Sequence, residues 1–435
     1  MTRRASTRRL LSTSTAMLAC GALLASCGLA GGDDSGGSGS DEVVFWHAFT
    51  AGAESGAIKS ILDGFGEAQD SYTVKDRGIG NEEHFTVVRT GLAGGSPPDL
   101  VHYEGYQQTR DFAKAGQLLD LTDFWKEHED KFILKESAVR ACTSEGKIYC
   151  IPYTFHSGFQ MYYNAELLEA EGVEPPQTFE DFTAAADTLK DAGLTPVSIG
   201  AKDGWPAEHW WMNFIVQRCG VAHVYDVIDD KGAKFTDECF LQAAEDLAGL
   251  AEAGYFPEGA SSDDYGAAIS VFASKKAGFM QTGSWYAAEL LETPTEFEYG
   301  IVPFPRFEDA ENTGDITGAV THVFGIPADA ENPDGAKALL EHMLTDESTA
   351  TWAEAGLFSL VDGAVEQNGP EEVMPLWDAV LKAEASLPWL ENELPPGVGE
   401  DAIYNGSAAL VAGRMSPQEF VESIQAALDK ARQGS

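Results

Sequence analysis

From Glu42 onward, short apolar runs of strand length alternate with longer segments whose apolar residues recur three and four positions apart. That alternation limits the fold more than any other feature of the chain. Residues 42–46 read as a first strand, and residues 57–65 place Ile58, Ile61, Leu62 and Phe65 on one helical face. Residues 72–74 follow as a strand. Residues 81–92 follow as a helix with Phe85, Val88 and Leu92 aligned, stopped by Gly94-Gly95-Ser96-Pro97-Pro98. Residues 99–103 form a third strand. Strand, helix, strand in succession needs crossover connections, so the expected class is α/β.

The middle of the chain continues the pattern. Pro175-Pro176-Gln177-Thr178 predicts a helix capped by Thr178, with Glu180 and Asp181 at its positive end. Residues 196–199 read as a buried strand, and 237–253 as an amphipathic helix ended by Gly254. Residues 277–280 lead into Gly283-Ser284-Trp285, and 299–305 read as an edge strand carrying prolines. Residues 334–344, 347–355, 374–385 and 417–431 read as helices. No repeat with a period of about 20–50 residues stands out.

Roughly 400 residues exceed what one core usually holds, so two lobes are expected. An apolar content of 44 % is ordinary for a globular chain, whereas a formal charge of −42 is not. Such a surface repels nucleic acid and anionic lipid heads, and a phosphorylated ligand is less expected than a neutral one. Cys142, Cys150, Cys219 and Cys239 form an even set downstream of Cys27. Outside the cell such a set suggests disulfides. Glu145-Gly146 signals a turn between two short strands, so a Cys142–Cys150 bridge across a hairpin is easy, and Cys219–Cys239 then pairs the rest. The competing arrangement, zinc on four thiolates, lacks any CxxC knuckle. No metal or cofactor is expected.

The start of the chain has the three-part shape of a secretory leader. Arg3, Arg4, Arg8 and Arg9 precede an apolar stretch from Leu10 to Leu24, and residues 1–26 are expected to be removed. Leu24-Ala25-Ser26-Cys27 resembles a bacterial lipobox, which makes Cys27 the expected lipidation site. Lipid chains gain about 0.8 kcal/mol per buried methylene, enough for several together to hold a folded domain at a membrane. Residues 27–41 are Gly/Ser-rich and read as a flexible linker.

Six landmarks then occur in order. They are Val44-Phe45-Trp46-His47, Leu92-Ala93-Gly94-Gly95-Ser96-Pro97-Pro98-Asp99-Leu100, Ala115-Gly116-Gln117-Leu118-Leu119-Asp120-Leu121, Gly146-Lys147-Ile148-Tyr149-Cys150-Ile151-Pro152-Tyr153, Tyr162-Tyr163-Asn164 with Pro175-Pro176-Gln177-Thr178-Phe179, and Gly283-Ser284-Trp285. In this order the chain resembles the family 1 extracellular solute-binding proteins of carbohydrate ABC importers, the maltose-binding-protein-like group. The resemblance implies a two-lobed periplasmic-binding-protein-like fold of type II with a ligand cleft between the lobes. It implies crossings near 153–157, 320–325 and 357–361, one lobe from 42–153 with 325–357, and another from 156–320 with 361–435. It also implies a sugar ligand, a membrane permease partner, no nucleic-acid partner, no catalysis, and a monomer anchored by lipid at the outer face of the cell membrane.

A sugar offers hydroxyl edges and apolar C–H faces, so its site needs carboxylates or amides beside flat rings. Ligands in open α/β sheets bind beyond the carboxyl ends of strands. Trp46 and His47 end the first strand, and Glu54 opens the helix after it. Trp46 also reads as a core aromatic and Glu54 as a charge favouring a helix start. Glu104 follows the third strand and Phe155-His156 lie in the first crossing; a solvated loop charge and a hinge pair are the competing roles. Gly204-Trp205-Pro206-Ala207-Glu208-His209-Trp210-Trp211 is the densest aromatic stretch. Trp205 is its stacking candidate, while Trp210 and Trp211 read as helix core. Trp285 matches the family's stacking tryptophan. Gly318 and His322 reach the second crossing, with His322 equally readable as a structural histidine. Trp389 and Tyr404 are unranked additions. A glycoside hydrolase is the competing class, since two carboxyls about 5–9.5 Å apart suffice for it. The chain has no GxSxG, HExxH, P-loop or GxGxxG to suggest other chemistry.

Overall fold

Strand β1 (Glu42–His47) buries Val43, Phe45 and His47 on one side, because strand side chains alternate between faces. The structure is a computed structural model, and it describes residues 41–435 other than Glu311, Thr313 and Ser435. The leader, Cys27 and the linker through residue 40 lie outside the described residues. Strands β2 (Thr73–Gly78) and β3 (Leu100–Tyr103) pair parallel with the two sides of β1. Helices Gly52–Ala68 and Asn81–Ala93 make the crossovers. The Pro97-Pro98-Asp99 turn has a physical role: the buried Asp99 carboxylate accepts from Val44 N at 2.8 Å and from Asn332 N at 2.7 Å. It thereby pins β1 to a helix start more than 200 positions away.

A tight hairpin, β4 (Thr143–Ser144) and β5 (Lys147–Ile148), turns at Glu145 and Gly146, both with positive φ. A Cys142–Cys150 disulfide closes it, and Cys219 is bonded to Cys239. Among the described residues no thiol is left to ligate zinc. Closing a loop of this second size stabilises a folded chain by about 3 kcal/mol through the entropy of the unfolded state. The double variant C219S/C239S is therefore expected to shift its urea midpoint down accordingly. An unchanged midpoint would mean that packing alone holds the segment.

Strand β6 (Ile151–Ser157) is buried throughout and runs on through Gly158-Phe159 into β7 (Gln160–Asn164), which belongs to a second sheet. With β8 (Thr195–Ser198), β9 (Ala277–Gln281) and β10 (Tyr299–Pro303), that sheet has the order β10-β7-β9-β8. The proline-bearing β10 lies at its edge, where a missing N–H costs no ladder bond. Thr178 caps helix Phe179–Asp191 in a reciprocal box with Asp181. Helix Trp205–Arg218 is buried nearly all round, with Trp210 against Phe182, Phe256 and Phe304, and Trp211 against Phe420. Those two tryptophans are core.

The chain returns to the first sheet through β11 (Ile316–Gly325), antiparallel to β3 and β6, and β12 (Ser386–Leu387) adds to its far side. The first sheet therefore reads β12-β11-β3-β1-β2 with β6 also on β11. Residues 357–361 run beside β6, with Phe155 N donating to Phe358 O and Leu360 N to Tyr153 O, each at 3.0 Å. The result is a two-lobed α/β fold, one sheet in each lobe. No helix among the described residues is long and apolar enough to cross a membrane.

Candidate functional site

A cavity of about 390 Å³ lies where the carboxyl ends of β1, β3 and β8 meet β6 and β11. The first lobe supplies the start of helix Gly52–Ala68, with Ala51, Gly52, Ala53 and Glu54, and the loop residue Glu104. Strands β6 and β11 supply His156, Thr321 and His322. The second lobe supplies Asp203, Trp205, His209, Tyr265, Trp285 and Glu289, and the C-terminal segment brings Trp389, Glu391 and Tyr404.

The pairing of β11 with β6 shifts register twice between Val320 and Val323. Bulges of this kind re-aim side chains beside functional sites, and here Thr321 and His322 both reach the cavity. Alternation along β6 does the same for His156 and turns Phe155 away.

A hydrogen-bond relay fixes Glu54. Ala48 N lies 3.4 Å from His102 Nδ1, His102 Nε2 lies 2.9 Å from His322 Nδ1, and His322 Nε2 lies 2.8 Å from Glu54 Oε1. A backbone amide can only donate, so His102 Nδ1 accepts and its Nε2 carries the proton. His322 then accepts on Nδ1 and donates from Nε2 to the carboxylate. Burial pushes the Glu54 pKa up, but His322 beside it, with His156, outweighs burial and leaves it below the usual carboxylate range. The positive end of helix Gly52–Ala68 also favours the charge. Glu54 is thus an ionised acceptor held in place.

Glu54, His156 and His322 also offer three ligand atoms within 4.8 Å of one another, which is the outline of a two-histidine, one-carboxylate cation site. The relay works against that use. His322 Nε2 carries the proton that a metal would displace, and reversing the tautomers would leave Ala48 N–H without its acceptor.

Two other histidines are neutral. Burial pushes His156 and His209 down to about 3 each. His156 Nε2 and His209 Nδ1 are buried without a hydrogen-bond partner. Both residues line the cavity, and His209 stacks on Trp389 with ring centres 4.4 Å apart. Trp285 sits centrally, 5.5 Å from His156, 5.8 Å from Trp205 and 6.3 Å from Trp389 between ring centres. Its Nε1–H donates to Tyr265 Oη at 3.0 Å, which fixes the ring's tilt.

Glycine makes room for these rings. A Cβ on Gly283 would strike the Trp285 ring, one on Gly158 the Trp389 ring, and one on Gly204 the backbone and ring root of Tyr404. The Gly283-Ser284-Trp285 motif is therefore a bare backbone seat beneath an indole.

Six expected residues meet in the cavity: Glu54, Glu104, His156, Trp205, Trp285 and His322. Four do not line it. Trp46 lies against Gly91 and under the Arg77 guanidinium, 5.0 Å from its ring centre. His47 is buried beside Phe49, with Nε2 3.4 Å from Asp76. Both stop short because the cavity begins at Ala51, five residues after Trp46 and four after His47. Phe155 is buried on Gly318, whose hydrogen makes space for that ring and not for a ligand. Asp203, His209, Tyr265, Thr321, Glu289 and Glu391 escaped the sequence reading. Helical spacing signals two of them: His209 is four residues after Trp205, and Glu289 is four after Trp285.

The profile of the bacterial extracellular solute-binding protein family matches residues 51–350. The chain belongs to that family. An uncharacterised ABC transporter extracellular-binding protein of Pyrococcus horikoshii is 25 % identical over 324 residues, covering 72 % of this solute-binding protein and 69 % of the relative. A probable sugar-binding periplasmic protein of Rhizobium meliloti (strain 1021) is 25 % identical over 404 residues, covering 90 % and 94 % respectively. Among solved structures, a chitin oligosaccharide binding protein superposes with a TM-score of 0.80 at 23 % identity, over 90 % of this solute-binding protein and 99 % of that one. The two-lobed fold is shared with it.

Proposed function

We propose that this protein captures a sugar between its lobes and delivers it to the permease of an ABC importer. The observation that carries the reading is the gathering of Trp205, Trp285 and Trp389 around one cavity, beside an ionised carboxylate and two imidazole nitrogens that make no hydrogen bond. Flat rings match the C–H faces of a pyranose, and the carboxylate and imidazoles match its hydroxyl edges. No lysine or arginine stands among the described residues that line the inner cavity, which disfavours a phosphorylated group there, that of glycerol phosphate included; Arg89 lines the neighbouring groove. A neighbouring groove of about 600 Å³ shares Glu104, Asp203, Trp205, Glu391 and Tyr404 with the cavity, which favours a ligand of more than one ring. The naming of relatives as sugar-binding periplasmic proteins supports the same class.

In this reading residues 42–153 with 325–357 and residues 156–320 with 361–435 are the closing lobes, and only a ligand gripped by both favours closure. Lipidated Cys27 holds the monomer at the outer face of the membrane, and the protein does no chemistry on its ligand. A thermal-shift screen against mono- and oligosaccharides is expected to raise the melting midpoint with at least one sugar. Small-angle scattering with that sugar is expected to show a smaller radius of gyration, with no new reducing ends. Stabilisation only by amino acids, peptides or nucleotides would overturn the reading.

A further inference from the structure

Five carboxyl side chains face the inner cavity: Glu54, Glu104, Asp203, Glu289 and Glu391. Against them stand three histidines and, among the described wall residues, no permanent cation. Glu54 has its histidine relay, whereas Glu391 at the neck is bonded to Tyr404 and to another carboxyl, Glu208. Directly behind Glu391 lies the fully buried Glu208, and the two carboxyls are close enough to share a proton. Like charges this close disfavour one another's ionisation. Burial and the nearby Glu391 and Glu400 carboxyls push Glu104 up to about 8. Burial chiefly, with Glu400 adding to it, pushes Glu391 to about 7.

Glu54, Glu104, Glu289 and Glu391 are half-buried and Asp203 is exposed, and carboxyls gathered this densely in a cleft ionise together only at a cost that a bound cation relieves. His209 points the same way, since it is more than nine-tenths buried, at 3 % exposure, with Nδ1 unpartnered at the wall; His156 Nε2 makes no hydrogen bond and lies 3.8 Å from Glu54 Oε1. Neutral imidazoles supply no positive charge, and the permanent cation Arg89 lines the outer groove and not the inner cavity, which leaves room there for a cation carried by the ligand. Trp205 and Tyr404, at the same neck, offer the ring faces that attract an ammonium group.

We infer that the cleft selects sugars bearing a protonated amine, seated between Glu104 and Glu391 against Trp205 and Tyr404. The inference rests on the sugar-capture reading and narrows it. The decisive probes are three disaccharides of one linkage that differ only at C2: the β-1,4 glucosamine dimer, its N,N′-diacetyl form, and cellobiose. By calorimetry at about pH 6.5, where such an amine is largely protonated, the diamine is expected to bind at least tenfold tighter than either neutral form. That margin should shrink as salt rises from millimolar to about 0.5 M. Glu391→Gln and Glu104→Gln should each weaken the diamine at least about fivefold more than they weaken the two neutral sugars, a difference between ligands that a folding defect would not produce. Cellobiose or the diacetyl form binding as tightly as the diamine would overturn the amine preference. So would binding of other neutral sugars with none of the three, and both results would leave sugar capture standing. If no saccharide binds at all, sugar capture itself fails.

Discussion

Trp285→Ala is expected to weaken sugar binding by about 100-fold, or nearly 3 kcal/mol, the scale of a central aromatic anchor. The indole stands within 6.3 Å of the Trp205, Trp389, His156 and His209 rings, so its removal takes the middle out of the platform. Tyr265 then loses the N–H that ties it to the same wall. The ring is only partly buried and crowns a helix start, so the variant should stay folded, with a near-native circular dichroism spectrum. Gly283→Ala reaches the same ring from beneath: its new methyl group would occupy the seat of the indole and tilt it out of place. A smaller loss of affinity is expected there. Calorimetry with the best sugar from the panel checks both, and an unchanged affinity for Trp285→Ala would remove that ring from the site.

The unliganded protein is expected to lose stability between about pH 6.5 and 8, and Glu104→Gln is expected to restore part of it. In the unfolded chain Glu104 titrates at its ordinary 4.5, while in the fold it is pushed up to about 8. Between those values the folded state holds the more protons, so stability falls as pH rises. Glu289 and Glu391, both raised to about 7, act in the same direction. Buried histidines act oppositely. His156 and His209 at about 3, and His84 at about 4, charge in the unfolded chain first, so their share of stability is lost as pH falls below 6.5. The two sets oppose each other between about 4.5 and 6.5, and only the carboxyls act above that. Removing the titrating group at 104 should therefore flatten the alkaline limb, worth about 2 kcal/mol at pH 8. Melting curves at several pH values check this. A Glu104→Gln protein no more stable than the parent at pH 8 would show that Glu104 ionises freely in the fold.

Much of the scaffold is legible from local pattern. Thr178 with Asp181 reads as a helix start and is one, because a cap needs only neighbours three residues apart. Glu145-Gly146 reads as a turn for the same reason, since the positive φ at both positions suits a tight hairpin. The boundaries are looser. The strand expected at 72–74 runs from Thr73 to Gly78, where Lys75, Asp76 and Arg77 hide it from an apolar search. The helix expected at 57–65 begins at Gly52, because its first turn is built from small residues and Glu54.

The site is less legible. Glu54, Glu104, Trp205 and Trp285 are found by looking just past the end of a strand or a known turn, and Trp46 and His47 miss that position by one turn of chain. Glu391 lies in the segment after β12, where no periodicity announces a cavity wall, and Tyr404 in the same segment is legible only as an unranked candidate.

What the amino-acid order determined alone is the series of strands and helices, the two lobes and the family, since each depends on contacts a few residues long or on ordered motifs. Only the tertiary structure decided which side chains share the cavity and which of them are charged. His322 meets Glu54 across 268 positions and His102 across 220. Burial and like-charge proximity exist only once those distant segments have packed, and these two effects set the protonation of the cleft.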